Sequence, residues 1–272
     1  MPPTCDQFVH AYDRQQGTER AQSPMLLARL RTKIRTIARG LSGGLAYIRD
    51  WRIYNQKLDD HSSPFRARLS DMLPCLTDRY ECAGSTRGHY FHQDLWVAKE
   101  IYKLNPTEHW DVGSRIDGFV AHLLVSREVS VIDIRKLESN VPGLRFHQGD
   151  ITGLNFPSGS IRSLSCLHAM EHVGLGRYGD KVDPKGCFQG MKELARVLAP
   201  GGRLYFSVPI GRQRTEFNAH RIFDPKTILD CFSSLRLLHF AAIDDRDELI
   251  DPANWEDYRT ANHACGLFVF TK

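Results

Sequence analysis

The sequence has no C-x-x-C pair, no strong excess of charge of one sign and no long apolar run. Its seven cysteines are scattered and odd in number, which favours reduced thiols over a disulfide framework or a zinc site. Basic residues exceed acidic ones by 36 − 32 = 4, which is too few to indicate nucleic acid as a partner. No segment approaches the ~20 apolar residues of a membrane-spanning helix, and the N-terminus lacks the apolar core of a secretory signal. We therefore expect a cytoplasmic protein.

The first 88 residues differ in sequence pattern from the rest, since they show no alternation of strand-like and helix-like segments. This difference predicts a helical N-terminal appendage (1–88) before an α/β domain (89–272). Residues 24–40 have an apolar stripe at helical spacing and several arginines on the other side, and Gly40 suits the end of this helix. We expect the stripe to pack on the main domain, with the arginines solvated. The alternative is peripheral contact with the anionic inner face of a membrane.

From residue 109 onward, strand-like and helix-like segments alternate, which predicts a mostly parallel α/β sheet. A helix over residues 89–104 precedes it, and further helices are expected over 116–125, after Asp183-Pro184 and after Asp224-Pro225. The predicted strands are 109–112, 130–134, 144–150, 161–168, 203–210, 235–243 and 265–272. The linker between the last two strands lacks a strong crossover helix, which favours an antiparallel pair.

Acidic residues and a glycine turn mark the ends of the first three predicted strands. The first strand leads from Asp111 into a turn with Gly113, which would present backbone N–H groups at the start of a helix. The second strand ends in Asp133, 133 − 113 = 20 residues after Gly113, and the third ends in Asp150. Carboxylates at this edge of an open α/β sheet line the crevice that binds nucleotide-like ligands, and an acid at this spacing hydrogen-bonds ribose.

Five blocks in this order resemble class I S-adenosylmethionine-dependent methyltransferases over roughly residues 90–272. They are D-V-G-S-R-I-D-G, V-I-D-I, G-D-I-T-G-L-N-F-P-S-G-S, L-H-A-M-E-H-V and E-L-A-R-V-L-A-P-G-G-R-L-Y-F-S-V-P. The resemblance implies a Rossmann-like sheet with an antiparallel last strand. More narrowly, H-A-M-E-H-V-G-L-G-R-Y-G-D-K-V-D-P-K-G and F-N-A-H-R-I-F-D-P resemble an uncharacterised family of methyltransferase-like domains that is associated with glycan assembly.

The resemblance also implies S-adenosylmethionine as the cofactor. The glycine turn would approach its methionine part, the acid after the second strand its ribose, and the acid after the third strand, with the next residue, its adenine. The cofactor residues are therefore Asp111, Gly113, Gly118, Asp133, Asp150 and Ile151. Arg115 departs from the small residue usual in such a turn, so that G-x-G-x-x-G is absent.

Two predicted loops, after the fourth and fifth strands, would face the methyl group. Methyl transfer is chiefly a matter of alignment, but a hydroxyl acceptor also needs a base, for which His172 and His220 are the catalytic candidates. The alternative is that each histidine only satisfies loop hydrogen bonds. The loop arginines favour an anionic substrate, although solvated surface arginines explain them equally well. The candidate substrate residues are Glu171, Arg177, Tyr178, Arg212, Asn218 and Arg221.

The resulting hypothesis is O-methylation of a sugar, a glycan precursor or another polar metabolite in polysaccharide biosynthesis. One alternative is a non-catalytic Rossmann-like scaffold of a glycan assembly system, in which Arg115 has abolished cofactor binding. A remote alternative is a zinc peptidase, because His168 to His172 also fit H-x-x-E-H. Gly174 and Gly176 would cut the required helix short, so we predict no metal site.

Overall fold

The computed structural model describes residues 22–58 and 63–272, with side chains from residue 36 onward. The chain forms two compact units, Met1–Ser85 and Thr86–Lys272. In the first, helix α1 spans Gln22–Gln56, and single 3₁₀ turns lie at Leu69–Asp71 and Asp78–Tyr80. The helix therefore continues past Gly40, where the sequence predicted its end.

Close packing requires glycine at one position inside α1. A Cβ atom on Gly43 would collide with the backbone of Leu76, so a larger residue would push that segment away from the helix. Further along, Asn55 exchanges two hydrogen bonds with the backbone of Ala67. Ile37, the last member of the predicted apolar stripe, is 64% exposed, and the side chains of residues 24–35 lie outside the described set. Across the described residues, no helix is long and apolar enough to cross a membrane.

The second unit is built on an eight-stranded sheet with the order β3-β2-β1-β4-β5-β10-β8-β9. Strands β1 to β5 run parallel, and β10 is antiparallel to both of its neighbours, β5 and β8. The prediction of a mostly parallel sheet with an antiparallel last strand is confirmed. The strands are β1 (Glu108–Val112), β2 (Glu128–Asp133), β3 (Leu144–Gln148), β4 (Ile161–Leu167), β5 (Leu198–Ile210), β6 (Arg214–Glu216), β7 (His220–Ile222), β8 (Arg236–Ile243), β9 (Leu249–Ile250) and β10 (Ala264–Thr271).

Helices lie on both faces of this sheet: α2 (His89–Leu104), α3 (Ala121–Leu124), α4 (Gly186–Val197) and α5 (Pro225–Cys231). One apolar layer joins α4 and α5 to residues such as Phe206 and Phe268, and the other joins α2 and α3 to residues such as Leu267. Phe268 and Leu267 fall in different layers because adjacent strand residues point to opposite faces.

Two local features differ from the predicted elements. The helix expected from residue 116 begins as a π-helical turn, Ile116–Val120, and becomes α-helical only at α3. The segment after β5, expected as a loop, contains the antiparallel pair of β6 and β7.

The cysteines differ from the expectation of reduced thiols throughout. Five described cysteines are free thiols, but Cys82 is disulfide-bonded, so that expectation is wrong.

Candidate functional site

A cleft opens at the carboxyl ends of β1 to β4. Each strand contributes residues to its lining: Gly113 after β1, Asp133 at the end of β2, Asp150 after β3 and His168 after β4. The chain order of the strands reverses between β1 and β4, and such a switch point is where open α/β sheets bind ligands. The two predicted acids and the glycine turn are therefore brought together.

The turn after β1 depends on a buried carboxylate. Asp111 Oδ1 accepts hydrogen bonds from Ser114 Oγ at 2.6 Å and from Ser165 Oγ at 2.5 Å, and its Oδ2 accepts one from the Ser114 amide at 3.0 Å. Gly113 has a φ of 73°, which favours glycine, and a Cβ there would press on Ala169. Asp111 is fully buried and is not among the cleft-lining residues, so its predicted contact with a ligand is replaced by a role in shaping the turn.

Burial shifts the pKa values of two side chains beneath this turn, His109 and Asp111. Ser165 also lies 2.8 Å from His109 Nε2, and His109 Nδ1 lies 2.8 Å from Ser163 Oγ. Burial lowers the pKa of His109 to about 3. Burial also raises the pKa of Asp111 to about 6, although its serine hydrogen bonds oppose the shift. Because Ser165 donates to Asp111, a neutral His109 that donates from Nε2 and accepts at Nδ1 completes the network.

Arg115 and Gly118 follow this turn in the chain. Gly118 lies in the π-helical turn rather than in the cleft lining, and a Cβ there would collide with the Asp94 carboxylate. Arg115 pairs with Asp117 at 3.3 Å, and its guanidinium lies over the Tyr90 ring, 4.9 Å from the centroid. Arg115 itself lines the cleft, as do Gly113 and Ser114 before it.

The acid at the end of β2 is engaged by an arginine that sequence analysis did not single out. Arg135 binds Asp133 through both side-chain oxygens, with Nη2–Oδ2 at 2.7 Å and Nε–Oδ1 at 3.0 Å. The guanidinium also lies 4.5 Å from the ring centroid of Tyr178. A ligand that uses the Asp133 carboxylate must therefore share or displace this ion pair. The signal for this ion pair in the sequence is Arg135, two residues after Asp133.

The acid after β3 caps a short turn. Asp150 Oδ1 accepts hydrogen bonds from the Thr152 amide and hydroxyl, both at 2.8 Å. This cap begins the 3₁₀ turn Ile151–Gly153, which places Ile151 in the cleft lining beside Asp150. The two residues thus offer a carboxylate next to an apolar wall, which suits a flat heterocycle with polar edges.

The loop after β4 places His172 in the cleft lining. His172 Nδ1 donates to the Ala219 carbonyl at 2.7 Å, so the other nitrogen, Nε2, is the one available as a base. Burial lowers the pKa of His172, which favours the neutral imidazole that a base requires. Tyr178 lies against its ring edge-on, at 5.4 Å between centroids.

Among the other predicted catalytic and substrate residues, only Tyr178 also lines the cleft. His220 lies in β7, with its Nε2 3.0 Å from Glu216 Oε2. Arg221 is buried and donates to the Val173 carbonyl at 2.6 Å, so it holds the loop rather than facing a substrate. Arg177 donates to Ala219 O at 2.7 Å. The exposed residues Arg212 and Asn218 and the buried Glu171 are also absent from the lining.

Glu171 instead supports the first histidine of the loop. Its Oε1 is 2.8 Å from His168 Nδ1, and the carboxylate is 1% exposed. Burial alone would raise the pKa of Glu171, but the neighbouring His168 outweighs it and holds the pKa below its usual value. The H-x-x-E-H segment forms a single 3₁₀ turn, Met170–His172, instead of the helix that a zinc peptidase needs.

Comparisons with known proteins agree with this architecture. A family described as "Caenorhabditis protein of unknown function, DUF268" matches residues 159–244, and no curated protein matches. The solved structure of the [4+2]-cyclase SpnF is 11% identical, with 70% of this chain and 85% of that chain covered at a TM-score of 0.50. The protein has the methyltransferase-like Rossmann fold.

Two further solved structures are similar to this chain. A putative sarcosine dimethylglycine methyltransferase from Galdieria sulphuraria is 12% identical, with 66% of this chain and 84% of that chain covered at a TM-score of 0.49. The N-methyltransferase NodS from Bradyrhizobium japonicum, in complex with S-adenosylhomocysteine, is 12% identical, with 66% and 86% covered at a TM-score of 0.45.

The raised pKa of Asp111 gives a stability test of the turn. Because folding raises this pKa from 3.8 to about 6, the folded chain binds the proton more tightly than the unfolded chain. The carboxyl therefore adds stability as the pH falls from about 6 towards 4. Relative to Asp111→Asn, the wild type should gain up to about 3 kcal/mol in free energy of unfolding over this range. Urea unfolding followed by circular dichroism measures both profiles, and parallel profiles would contradict the assignment.

Proposed function

We propose that the protein is a methyltransferase that uses S-adenosylmethionine. The observation that carries the proposal is the joint placement of Gly113, Asp133 and Asp150 around one cleft at the switch point of this fold. The acids are suited to ribose hydroxyls and to an adenine amino group, and the glycine turn leaves its backbone accessible to the rest of the cofactor. Apolar lining residues complete the fit: Val112, Ile132, Ile134, Ile151, Leu167 and Val173.

When bound, S-adenosylmethionine supplies an electrophilic methyl group on a sulfonium ion. The chain would contribute alignment of the acceptor and removal of its proton. His172 is the better candidate for the base, since it lines the cleft and its Nδ1 is fixed by Ala219, whereas His220 stands in β7 outside the lining. Tyr178 and Asp180 lie in the same part of the lining and offer polar groups to an acceptor.

We further infer a polar, hydroxyl-bearing acceptor such as a sugar or a related metabolite. A neutral histidine suits a hydroxyl, whose proton must be removed as the bond to the methyl carbon forms. An anionic acceptor has less support, because Arg177 and Arg221 are used on backbone carbonyls.

Two other candidate functions can be distinguished from methyl transfer by two measurements. A [4+2]-cyclase has a similar fold, so the fold alone does not require methyl transfer, and a second candidate is a chain that binds the cofactor without transferring its methyl group. The Arg135–Asp133 pair favours a third, a scaffold that binds no cofactor. Titration with S-adenosylhomocysteine distinguishes the scaffold from the others. Methyl transfer from labelled S-adenosylmethionine to a panel of sugars then distinguishes the methyltransferase from the cyclase-like protein.

Asp133→Ala tests the proposed ribose contact. Loss of a charged hydrogen-bond acceptor costs about 1.5–3 kcal/mol, so the affinity for S-adenosylhomocysteine should fall at least about tenfold in isothermal titration. Asp117→Ala is the matched control, because Asp117 is an exposed acid beside the same turn but outside the cleft lining. Equal affinities of the wild type and Asp133→Ala, with an unchanged circular dichroism spectrum, would refute this contact.

Arg135→Ala tests whether the ion pair opposes ligand binding. The pair is partly exposed, with 52% of the arginine side chain accessible, and such pairs are worth roughly 0–1 kcal/mol. We therefore expect S-adenosylhomocysteine to bind this variant up to about fivefold more tightly than the wild type. Lys136→Ala is the control, since Lys136 pairs with Glu138 on the exposed surface. Weaker binding in Arg135→Ala would mean that the arginine itself contacts the ligand.

A further inference from the structure

Three potential metal ligands from separate elements converge beside the cleft. His89 begins α2, His168 follows β4 and Cys265 lies in β10. A ring nitrogen of each histidine and the Sγ of Cys265 all lie within 4.8 Å of one another. His168 Nε2 and Cys265 Sγ are 3.3 Å apart. Because these residues are distant in sequence, the convergence arises from the tertiary structure.

The spacing of these atoms suits a tetrahedral ion. Zinc binds thiolate sulfur at about 2.3 Å and imidazole nitrogen at about 2.0–2.1 Å, which places adjacent ligand atoms roughly 3.3–3.6 Å apart. The separation of His168 Nε2 from Cys265 Sγ already lies in this range, at 3.3 Å. A ring nitrogen of His89 lies within 4.8 Å of the ligand atoms of the other two residues.

Glu171 supplies the outer support that a metal-binding histidine commonly has. Its Oε1 is 2.8 Å from His168 Nδ1, so a proton on Nδ1 leaves Nε2 as the nitrogen that faces Cys265. A carboxylate at the second nitrogen of a histidine ligand orients the ring and increases its basicity. Glu171 Oε2 is buried and has no hydrogen-bond partner among the described residues. An ion bound to His168 would add positive charge next to this buried carboxylate, which the His168 ring already stabilises.

The backbone and the ring packing hold the histidines in place. His168 has a φ of 47°, a left-handed conformation that costs a non-glycine residue about 1–2 kcal/mol. Such strain clusters at ligand sites, where the surrounding structure enforces it. The His89 ring is stacked on His263, with 5.0 Å between centroids and 12° between planes. Both rings are therefore positioned by contacts outside the trio itself.

We propose that His89, His168 and Cys265 bind a divalent ion of the zinc type, with Glu171 as a positioning residue. Two imidazoles and one thiolate favour borderline-soft ions such as Zn²⁺ or Co²⁺ over Mg²⁺ or Ca²⁺. Three protein ligands leave a fourth position for water or a substrate oxygen. On binding, the Cys265 S–H bond breaks, its proton passes to solvent and the sulfur donates an electron pair to the ion.

This site differs from the peptidase motif and does not depend on the proposed methyl transfer. The motif would use His168 and His172, whereas His172 Nδ1 is bonded to the Ala219 carbonyl and its Nε2 lies 3.6 Å from Glu171. Metal binding can therefore be measured without cofactor or acceptor. Its failure would leave the cofactor titration unaffected, and the converse also holds.

Cobalt spectroscopy on the full-length chain tests the proposal. The protein is stripped with a chelator, kept reduced and titrated with Co²⁺, while zinc content is measured by mass spectrometry after dialysis against Zn²⁺. We expect one ion per chain, strong visible bands of tetrahedral cobalt and a near-ultraviolet band from thiolate-to-cobalt charge transfer. A wild-type chain without stoichiometric zinc, or one whose cobalt complex lacks the charge-transfer band, would overturn the proposal.

Variants assign the ligands. Cys265→Ser should abolish the charge-transfer band, and His89→Gln should weaken Co²⁺ binding at least about tenfold. The matched controls are Cys75→Ser, which changes an exposed free cysteine, and His92→Gln, which changes a half-buried histidine on α2. Persistence of the band in Cys265→Ser, or its loss in Cys75→Ser, would also overturn the proposal.

Two further measurements test Glu171 as a positioning residue and check that the variants fold. Glu171→Gln should weaken binding about 10–100-fold and retain the charge-transfer band, because it changes the support of a ligand and not the ligand set. Unchanged affinity in this variant would remove the positioning role. Circular dichroism checks every variant, and His89→Gln alone decides the assignment if Cys265→Ser does not fold, with unchanged affinity and spectrum counting against it.

Discussion

The cleft depends on a buried carboxylate whose hydrogen bonds join two strands. Asp111 at the end of β1 accepts from Ser114 in the following turn and from Ser165 in β4, while Ser114 Oγ accepts from the Leu167 amide. A buried charge without partners is costly, so these bonds hold the turn against the end of β4 in one arrangement. The glycine turn and the loop after β4 are thereby fixed relative to each other, and the cleft lies between them.

Around this rigid base, the charged residues divide into two groups. Asp133 and Asp150 lie in the lining of the cleft. Arg221, by contrast, is buried and donates a hydrogen bond to the Val173 carbonyl, which fixes the loop after β4. Arg135 belongs to neither group, because it covers an acid that the fold otherwise presents to ligands. Charge near the cleft therefore serves loop geometry as much as it serves binding, and arginines in a loop sequence do not by themselves indicate an anionic substrate.

The sequence predicted those parts of the fold and the site that follow from local pattern. Strands buried between helices appear as apolar runs, and the last residue of a parallel strand or the residues just after it lie at the cleft edge. The sequence therefore indicated Asp133 and Asp150. The inward direction of Asp111 was not predictable, because β1 is flanked by strands and packed on both faces, and alternation cannot separate cleft from core. The Arg135 pair depends on a side-chain conformation. The trio of His89, His168 and Cys265 depends on packing between distant segments, for which the sequence holds no spacing signal.

The fold alone does not determine which reaction a protein catalyses. The residues at the end of β4 say more about that reaction. The same architecture occurs in a [4+2]-cyclase, so the sheet alone does not determine a reaction. In strand order, the acids on β2 and β3 lie on one side of β1, whereas His168 on β4 and Cys265 on β10 lie on the other. His168 belongs to both regions, since it lines the cleft and also approaches Cys265. An ion held by His89, His168 and Cys265 would therefore lie on the side of β1 away from the two acids.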